Sequence, residues 1–136
     1  MLATLRRTKA PVISVIDDDK SIRSSTNRLA RSLGFDVHAF ASAEEFLQSP
    51  HLYDSSCVVA DIRMPGMSGV ALQRPLIDRG HHIPIVFITA FPDEKIRTRA
   101  LEDGAIAFLS KPFEGKALIR CLAEAMKRQG EPPSQT

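Results

Sequence analysis

Cys57-Val58-Val59-Ala60-Asp61-Ile62-Arg63-Met64-Pro65-Gly66-Met67-Ser68-Gly69 decides the reading of this chain. Four small or apolar residues run into an aspartate, and a proline and two glycines follow. A continuous apolar run without alternation is the mark of a strand buried on both faces. Pro65-Gly66 and Ser68-Gly69 are turn-forming pairs, so a tight loop follows the strand. Asp61 therefore stands where a buried strand meets its loop. In open parallel α/β sheets, ligands bind outside those carboxyl ends.

Working outward, the same alternation of strand and helix recurs. Val12-Ile13-Ser14-Val15-Ile16 is a β-branched run that ends in Asp17-Asp18-Asp19. A first helix is expected from Ser21 to Leu33, with Ile22, Leu29 and Leu33 near one face and Gly34 as its stop. Phe35 to Phe40 alternates, so a second strand with a more exposed face is expected there. Ser42-Ala43-Glu44-Glu45 resembles a capping box that opens a short helix, which Pro50 ends. After the Asp61 strand, a third helix is expected from Ser68 to about Arg79. Pro75 conflicts with that span, because an interior proline costs about 3 kcal/mol. The helix must kink or begin later.

Pro84-Ile85-Val86-Phe87-Ile88 is the fourth strand, ending in Thr89. Asp93 to Asp103 reads as a fourth helix with a sparse apolar face of Ile96, Ala100 and Leu101, and so as a weakly anchored one. Ala105 to Leu109 is the fifth strand, followed by Ser110-Lys111-Pro112. The last helix, Glu114 to Lys127, has the cleanest period, with Leu118, Cys121, Leu122, Ala125 and Met126 on one face. Five strand-then-helix units with right-handed crossovers require a parallel sheet with helices on both sides.

Composition bounds the function. The chain has 136 residues, 43% of them hydrophobic and 25% charged, which suits one soluble globular domain. A net charge of +2 is too small to argue for nucleic acid or a membrane. No apolar stretch approaches the ~20 residues that a bilayer demands, and no signal-peptide core precedes Arg6-Arg7. A cytoplasmic location is expected. Cys57 and Cys121 lie in apolar patterns and read as small buried hydrophobes. His81 and His82 are expected at the surface, and His38 and His51 have no evident partner. The expected layout is an arm over 1–11, one domain over 12–128 and a linker-like tail over 129–136.

The chemistry converges on one edge. Parallel strands put all their carboxyl ends on the same side, so Asp17, Asp18, Asp61, Thr89 and Lys111 should meet in one cleft. Carboxylates a few Å apart repel by several kcal/mol unless one is protonated or a cation lies between them. Oxygen ligands alone favour a hard ion such as Mg²⁺. Asp18 and Asp61 are read as direct ligands, Asp17 as a ligand through water, and the Arg63 backbone carbonyl as a further oxygen. Asp19 is left to cap the first helix. A carboxylate can attack phosphorus and form an acyl phosphate. Lys111 and the Thr89 hydroxyl would then take oxygens of the transferred group.

With these pieces assembled, the chain resembles the receiver domain of two-component response regulators. The resemblance rests on Val15-Ile16-Asp17-Asp18-Asp19, on Asp61 with Met64-Pro65-Gly66-Met67-Ser68-Gly69, on Ile88-Thr89-Ala90, and on Phe108-Leu109-Ser110-Lys111-Pro112-Phe113. The phrases Phe40 to Leu47 and Asp103 to Phe113 are similar to the FixJ-like branch. The resemblance implies a flavodoxin-like, doubly wound (βα)5 domain with strand order 2-1-3-4-5. It implies phosphorylation of Asp61 by a sensor histidine kinase with Mg²⁺, and a switch in which Thr89 and Phe108 move. The fourth helix, fifth strand and fifth helix would report the change and could support a homodimer. A cis Lys111-Pro112 bond is implied, and Arg63 and Phe91 would influence the lifetime of the phosphoryl group. A DNA-binding output domain usual in that branch is not found in this chain, so transcription regulation would need one elsewhere. The alternatives are a stand-alone receiver or pseudo-receiver that acts as an interaction module. A Mg²⁺-dependent phosphatase would want a second acid where Arg63 stands. A flavin mononucleotide site would want a phosphate-cradling loop where the three aspartates stand.

Overall fold

The computed structural model describes residues 10–129. Five strands form one parallel sheet in the order β2-β1-β3-β4-β5. They are β1 (Val12–Ile16), β2 (Asp36–Phe40), β3 (Ser55–Asp61), β4 (Ile85–Thr89) and β5 (Ala107–Ser110). The helices are α1 (Lys20–Ser32), α2 (Ala43–Gln48), α3 (Gln73–Asp78), α4 (Glu94–Glu102) and α5 (Gly115–Gln129). Short 3₁₀ turns cover Pro50–Asp54 and Val70–Leu72. The expected arm lies outside the described residues apart from 10 and 11. The expected tail does so from 130 onward, since α5 carries on through Gln129.

The sheet divides the apolar residues into two cores, as its period of two requires. One side joins Ile16, Phe40, Phe46, Leu52, Val58, Ala60, Leu72, Leu76 and Phe87 beneath α2, α3 and α4. The other joins Ile13, Val15, Ala30, Cys57, Val59, Val86, Ile88, Leu118 and Leu122 beneath α1 and α5. β3 and β4 are buried along almost their whole length, which is why their sequences are unbroken apolar runs. Leu118, Leu122 and Ala125 form the buried stripe of α5, with Cys121 and Met126 half-buried beside it. Burial pushes the Cys57 thiol up to about 12, so it behaves as a small hydrophobe.

Three local expectations change. Leu33 is 41% exposed, and α1 buries Thr26 and Ala30 instead. The helix ends one residue earlier, so Leu33 falls at its C-cap, with its N–H donating to Ala30 O at 3.1 Å. The third helix begins late: Val70–Leu72 is a 3₁₀ turn, and Pro75 is the third residue of α3. A proline in the first turn removes an N–H that few helices satisfy internally, so the interior cost does not arise. His38 and His51 have partners after all. Their rings stack with centroids 3.7 Å apart, and His51 Nδ1 lies 3.9 Å from Asp54. Burial first, and then His51, hold His38 below the usual imidazole range.

The caps follow the sequence. The Asp19 side chain accepts from the N–H groups of Ser21 and Ile22 at 2.8 and 3.3 Å. Ser42 accepts from Glu45 N–H at 3.1 Å, while Glu45 reaches one residue further back, to Ala41 N–H at 3.1 Å. Gly69 closes the loop after β3. Its N–H donates to Ile62 O at 2.9 Å, and its α-carbon lies so near the Asp61 carbonyl that a Cβ there would collide with it. Gly69→Ala is therefore expected to cost about 1–3 kcal/mol through backbone overpacking. Urea denaturation of the two proteins measures this, and an unchanged midpoint would contradict the close approach.

Candidate functional site

The carboxyl ends of β1, β3, β4 and β5 meet as the topology demands. Adjacent parallel strands carry Ile16 beside Ala60, Asp61 beside Ile88, and Thr89 beside Ser110. Backbone bonds hold the ends in register just beyond these pairs. Ile62 N–H donates to Ile88 O at 3.0 Å, Lys111 N–H to Thr89 O at 2.7 Å, and Asp17 N–H to Phe40 O at 3.1 Å. Each chemically active side chain is thus placed by the strand that ends beside it.

Ligand oxygens of Asp17, Asp18 and Asp61 all lie within 4.8 Å of one another. Asp17 and Asp61 are buried, and Asp18 is exposed. The Lys111 ammonium spans the two buried carboxylates, 3.2 Å from Asp17 Oδ2 and 3.4 Å from Asp61 Oδ2. The second Asp17 oxygen accepts from Asp19 N–H at 2.9 Å. Both Asp17 oxygens are engaged, whereas Asp18 faces solvent. An ion entering here would meet Asp18 and Asp61 most readily. All the donors are oxygens, the preference of a hard divalent cation. The acidic pocket can hold a metal ion.

Electrostatics show the cost of this crowding. Burial first, and then the charge of Asp17, push the Asp61 carboxyl up to about 6, although Lys111 opposes the shift. Burial alone would lower Lys111, but Asp17 and Asp61 outweigh it and hold the ammonium above its ordinary range. The site carries more negative charge than one lysine balances, which a bound cation would relieve.

Thr89 is 1% exposed, and its hydroxyl accepts from Phe91 N–H at 3.0 Å. Phe108 is half-buried against the core beneath α2 to α4, and sits beside Phe87 in register. The Lys111-Pro112 bond is cis. The Arg63 guanidinium lies over the Phe91 ring, 4.7 Å from its centroid, so the two flanking residues touch. Sequence reasoning missed two supports. Arg23 Nη1 donates to the Asp17 backbone carbonyl at 2.7 Å and so ties α1 to the end of β1. Glu44 Oε2 accepts from Met67 N–H at 2.9 Å and so ties α2 to the loop after Asp61. Gly66 makes room for that carboxylate, since a Cβ there would stand 2.6 Å from Glu44 Oε2. Neither contact has a local sequence signal, because the partners lie on different elements.

The family model for the response regulator receiver domain matches residues 13–123. The chain belongs to that family. Nodulation protein W of Bradyrhizobium diazoefficiens is 45% identical over 121 residues, covering 89% of this chain and 53% of that protein. The transcriptional regulatory protein FixJ of the same organism is 38% identical over 124 residues, covering 91% of this chain and 60% of FixJ. The response regulator protein TodT of Pseudomonas putida is 37% identical over 119 residues, covering 88% of this chain and 52% of TodT. The receiver domain thus spans about half the length of the curated relatives it matches. Among solved structures, response regulator StyR aligns with a TM-score of 0.82 at 43% identity, covering 88% of this chain and 61% of that one. FixJ-N aligns with a TM-score of 0.78 at 30% identity, covering 94% of this chain and 100% of that one. The fold is the flavodoxin-like receiver fold, and the relatives agree with the FixJ-like branch. Among the described residues, no helix is long and apolar enough to cross a membrane.

The raised Asp61 group sets a pH dependence for the metal-free receiver domain. A carboxyl near 6 in the folded state and near its ordinary 3.8 unfolded stabilises the fold fully below the lower value. That contribution is lost as pH rises through about 6. In chelator, Asp61→Asn is expected to be more stable than the parent by ~2 kcal/mol at neutral pH, with the gap closing below about pH 4. Denaturation midpoints across pH check this, and a gap independent of pH would contradict it.

Proposed function

We propose that this receiver domain is a phosphoacceptor switch of a two-component response regulator, with Asp61 as the acceptor. The observation that carries the reading is the Lys111 ammonium bridging Asp17 and Asp61 within a cluster of three carboxylates at one sheet edge. Such an arrangement gives a nucleophilic oxygen, a metal-holding group and a fixed cation for a phosphoryl oxygen in one place.

In this reading Asp18, Asp61 and the Arg63 backbone carbonyl would hold Mg²⁺, with Asp17 contributing through water, and the bound ion would supply neutralisation of charge on the transferring group. An Asp61 oxygen attacks the phosphorus of a phosphohistidine on a sensor kinase. The O–P bond forms as the P–N bond breaks. The electron pair stays on the imidazole nitrogen, which then takes a proton from water. Lys111 leaves its bridging position to pair with a phosphoryl oxygen. Thr89 gives up its bond from Phe91 N–H and turns its hydroxyl toward another oxygen. Phe108 follows into the space that Thr89 vacates.

The added charge, roughly −1.5 to −2, biases two local arrangements rather than straining a rigid core. The reporting surface is α4, β5 and α5. α4 suits the part, since it buries only Ala100 fully. That surface would support a homodimer after phosphorylation and would control a DNA-binding output domain. The domain occupies residues 12–128 and works in the cytoplasm as a switch rather than as an enzyme.

With acetyl phosphate and Mg²⁺, the protein is expected to gain one hydroxylamine-labile phosphoryl group, detected by intact mass. Asp61→Asn should gain none, and removing Mg²⁺ should prevent labelling of the parent. Release of many phosphates per chain within the labelling time would instead point to a phosphatase. Lys111→Ala is expected to bind Mg²⁺ with an affinity of the same order, yet to lose the phosphorylation-linked change in oligomer size on gel filtration. Loss of Mg²⁺ binding in that variant would show that the lysine helps to hold the metal.

A further inference from the structure

A groove of about 750 Å³ runs between α4 and the segment that follows β3. Its floor is apolar: Met64 is buried, and Val70 and Ile96 are half-buried. Arg63, Lys95 and Arg99 stand along its rim, and all three are exposed. Among the described residues none of the three pairs with a carboxylate, and no acidic residue lines the groove. The nearby Glu94 is itself engaged by Arg97 at 3.3 Å. Three exposed cations without a carboxylate at ion-pair distance, set around an apolar floor, form a surface that an acidic, partly apolar surface complements.

We infer that this groove docks an acidic, amphipathic segment of a partner protein, with apolar side chains on the floor and Asp or Glu side chains against Arg63, Lys95 and Arg99. The charge pattern selects this occupant. A second copy of the chain would need to bring a matching acidic patch, and the exposed acids of α4 lie beside basic ones.

The groove is joined to the phosphoacceptor region by short links. Arg63 follows Asp61 by two residues and rests on the Phe91 ring. The Phe91 N–H in turn donates to the Thr89 hydroxyl. If Thr89 turns toward a phosphoryl group, Phe91 loses that anchor and Arg63 loses its platform. Docking should then weaken on phosphorylation. Only this sensitivity rests on the proposed function, and the docking itself stands without it.

The test uses fluorescein-labelled synthetic peptides and the full chain, read by fluorescence anisotropy. One peptide carries leucines at a helical period and the other at alternate positions, with Glu at all remaining sites. Binding by either peptide is expected, weakening about tenfold or more between low and high salt. Versions with Lys in place of Glu, or Ser in place of Leu, should not bind. Arg99→Glu and Lys95→Glu should each weaken binding by about tenfold, a change expected when a like charge faces an acidic partner. Both variants should still accept one phosphoryl group from acetyl phosphate, which reports that they are folded and that the Asp61 chemistry is separate. Amide shift changes on peptide addition should cluster at Met64, Val70 and Ile96.

Failure of both peptides to bind would overturn the inference, as would equal binding to the charge-reversed variants or shifts mapping elsewhere. Anionic phospholipid vesicles or a DNA duplex serve as the competing occupants. If either bound in a way lost with Arg99→Glu while the peptides did not, the groove would belong to that class instead. If the peptides bind but acetyl phosphate labels no chain, the docking groove survives and the phosphoacceptor reading falls. If labelling succeeds and peptide affinity does not drop, the link through Phe91 is wrong.

Discussion

The site depends on one unresolved electrostatic conflict. Two carboxylates, Asp17 and Asp61, are brought together in buried surroundings with a third beside them, and among the described residues one ammonium, that of Lys111, lies between the buried pair. In water such proximity would cost little, but in a poorly solvated cleft it costs several kcal/mol. The fold tolerates this because the strands that carry these groups are fixed by two apolar cores below the site. The stored repulsion leaves the cluster ready for a cation, and it adds to the burial that pushes the Asp61 carboxyl up to about 6.

The surroundings divide into a rigid part and a light part. β3 and β4 are buried along nearly their full length, and Gly69 locks the loop after Asp61 against the strand end. Arg23 and Glu44 add tethers from α1 and α2. On the other side, the Thr89 hydroxyl is met by Phe91 N–H, and α4 rests chiefly on Ala100, Ile96 and Leu101. A charge added at Asp61 would therefore act on the side with fewer contacts, as a two-state response in a packed protein requires. Gln73 also crosses this side, its Nε2 donating to Ala100 O at 3.0 Å and tying the start of α3 to α4.

Sequence reading succeeded where a signal was local. The unbroken apolar runs marked β3 and β4, the i, i+3, i+4 pattern marked α5, and Asp19 and Ser42 marked their caps. It went astray where two local signals competed or none existed. Ser68 looked like a helix start, yet the close approach of Gly69 to the Asp61 carbonyl delays α3 and leaves Pro75 in its first turn. The stacking of His38 on His51 and the reach of Glu44 to Met67 join residues far apart in the chain, and neither has a pattern that one segment could reveal.

The order of elements, the parallel sheet and the residues at each strand end were determined by the sequence, because periodicity and turn chemistry act within a few residues. That Asp17, Asp18, Asp61, Thr89 and Lys111 would share an edge followed from the topology alone. Which oxygen faces which ammonium, which aspartate is buried and which is open, and how Arg63 leans on Phe91 were decided only by the tertiary structure. Those are matters of side-chain distance and solvent exclusion between separate elements, and such quantities exist only once the cores have closed.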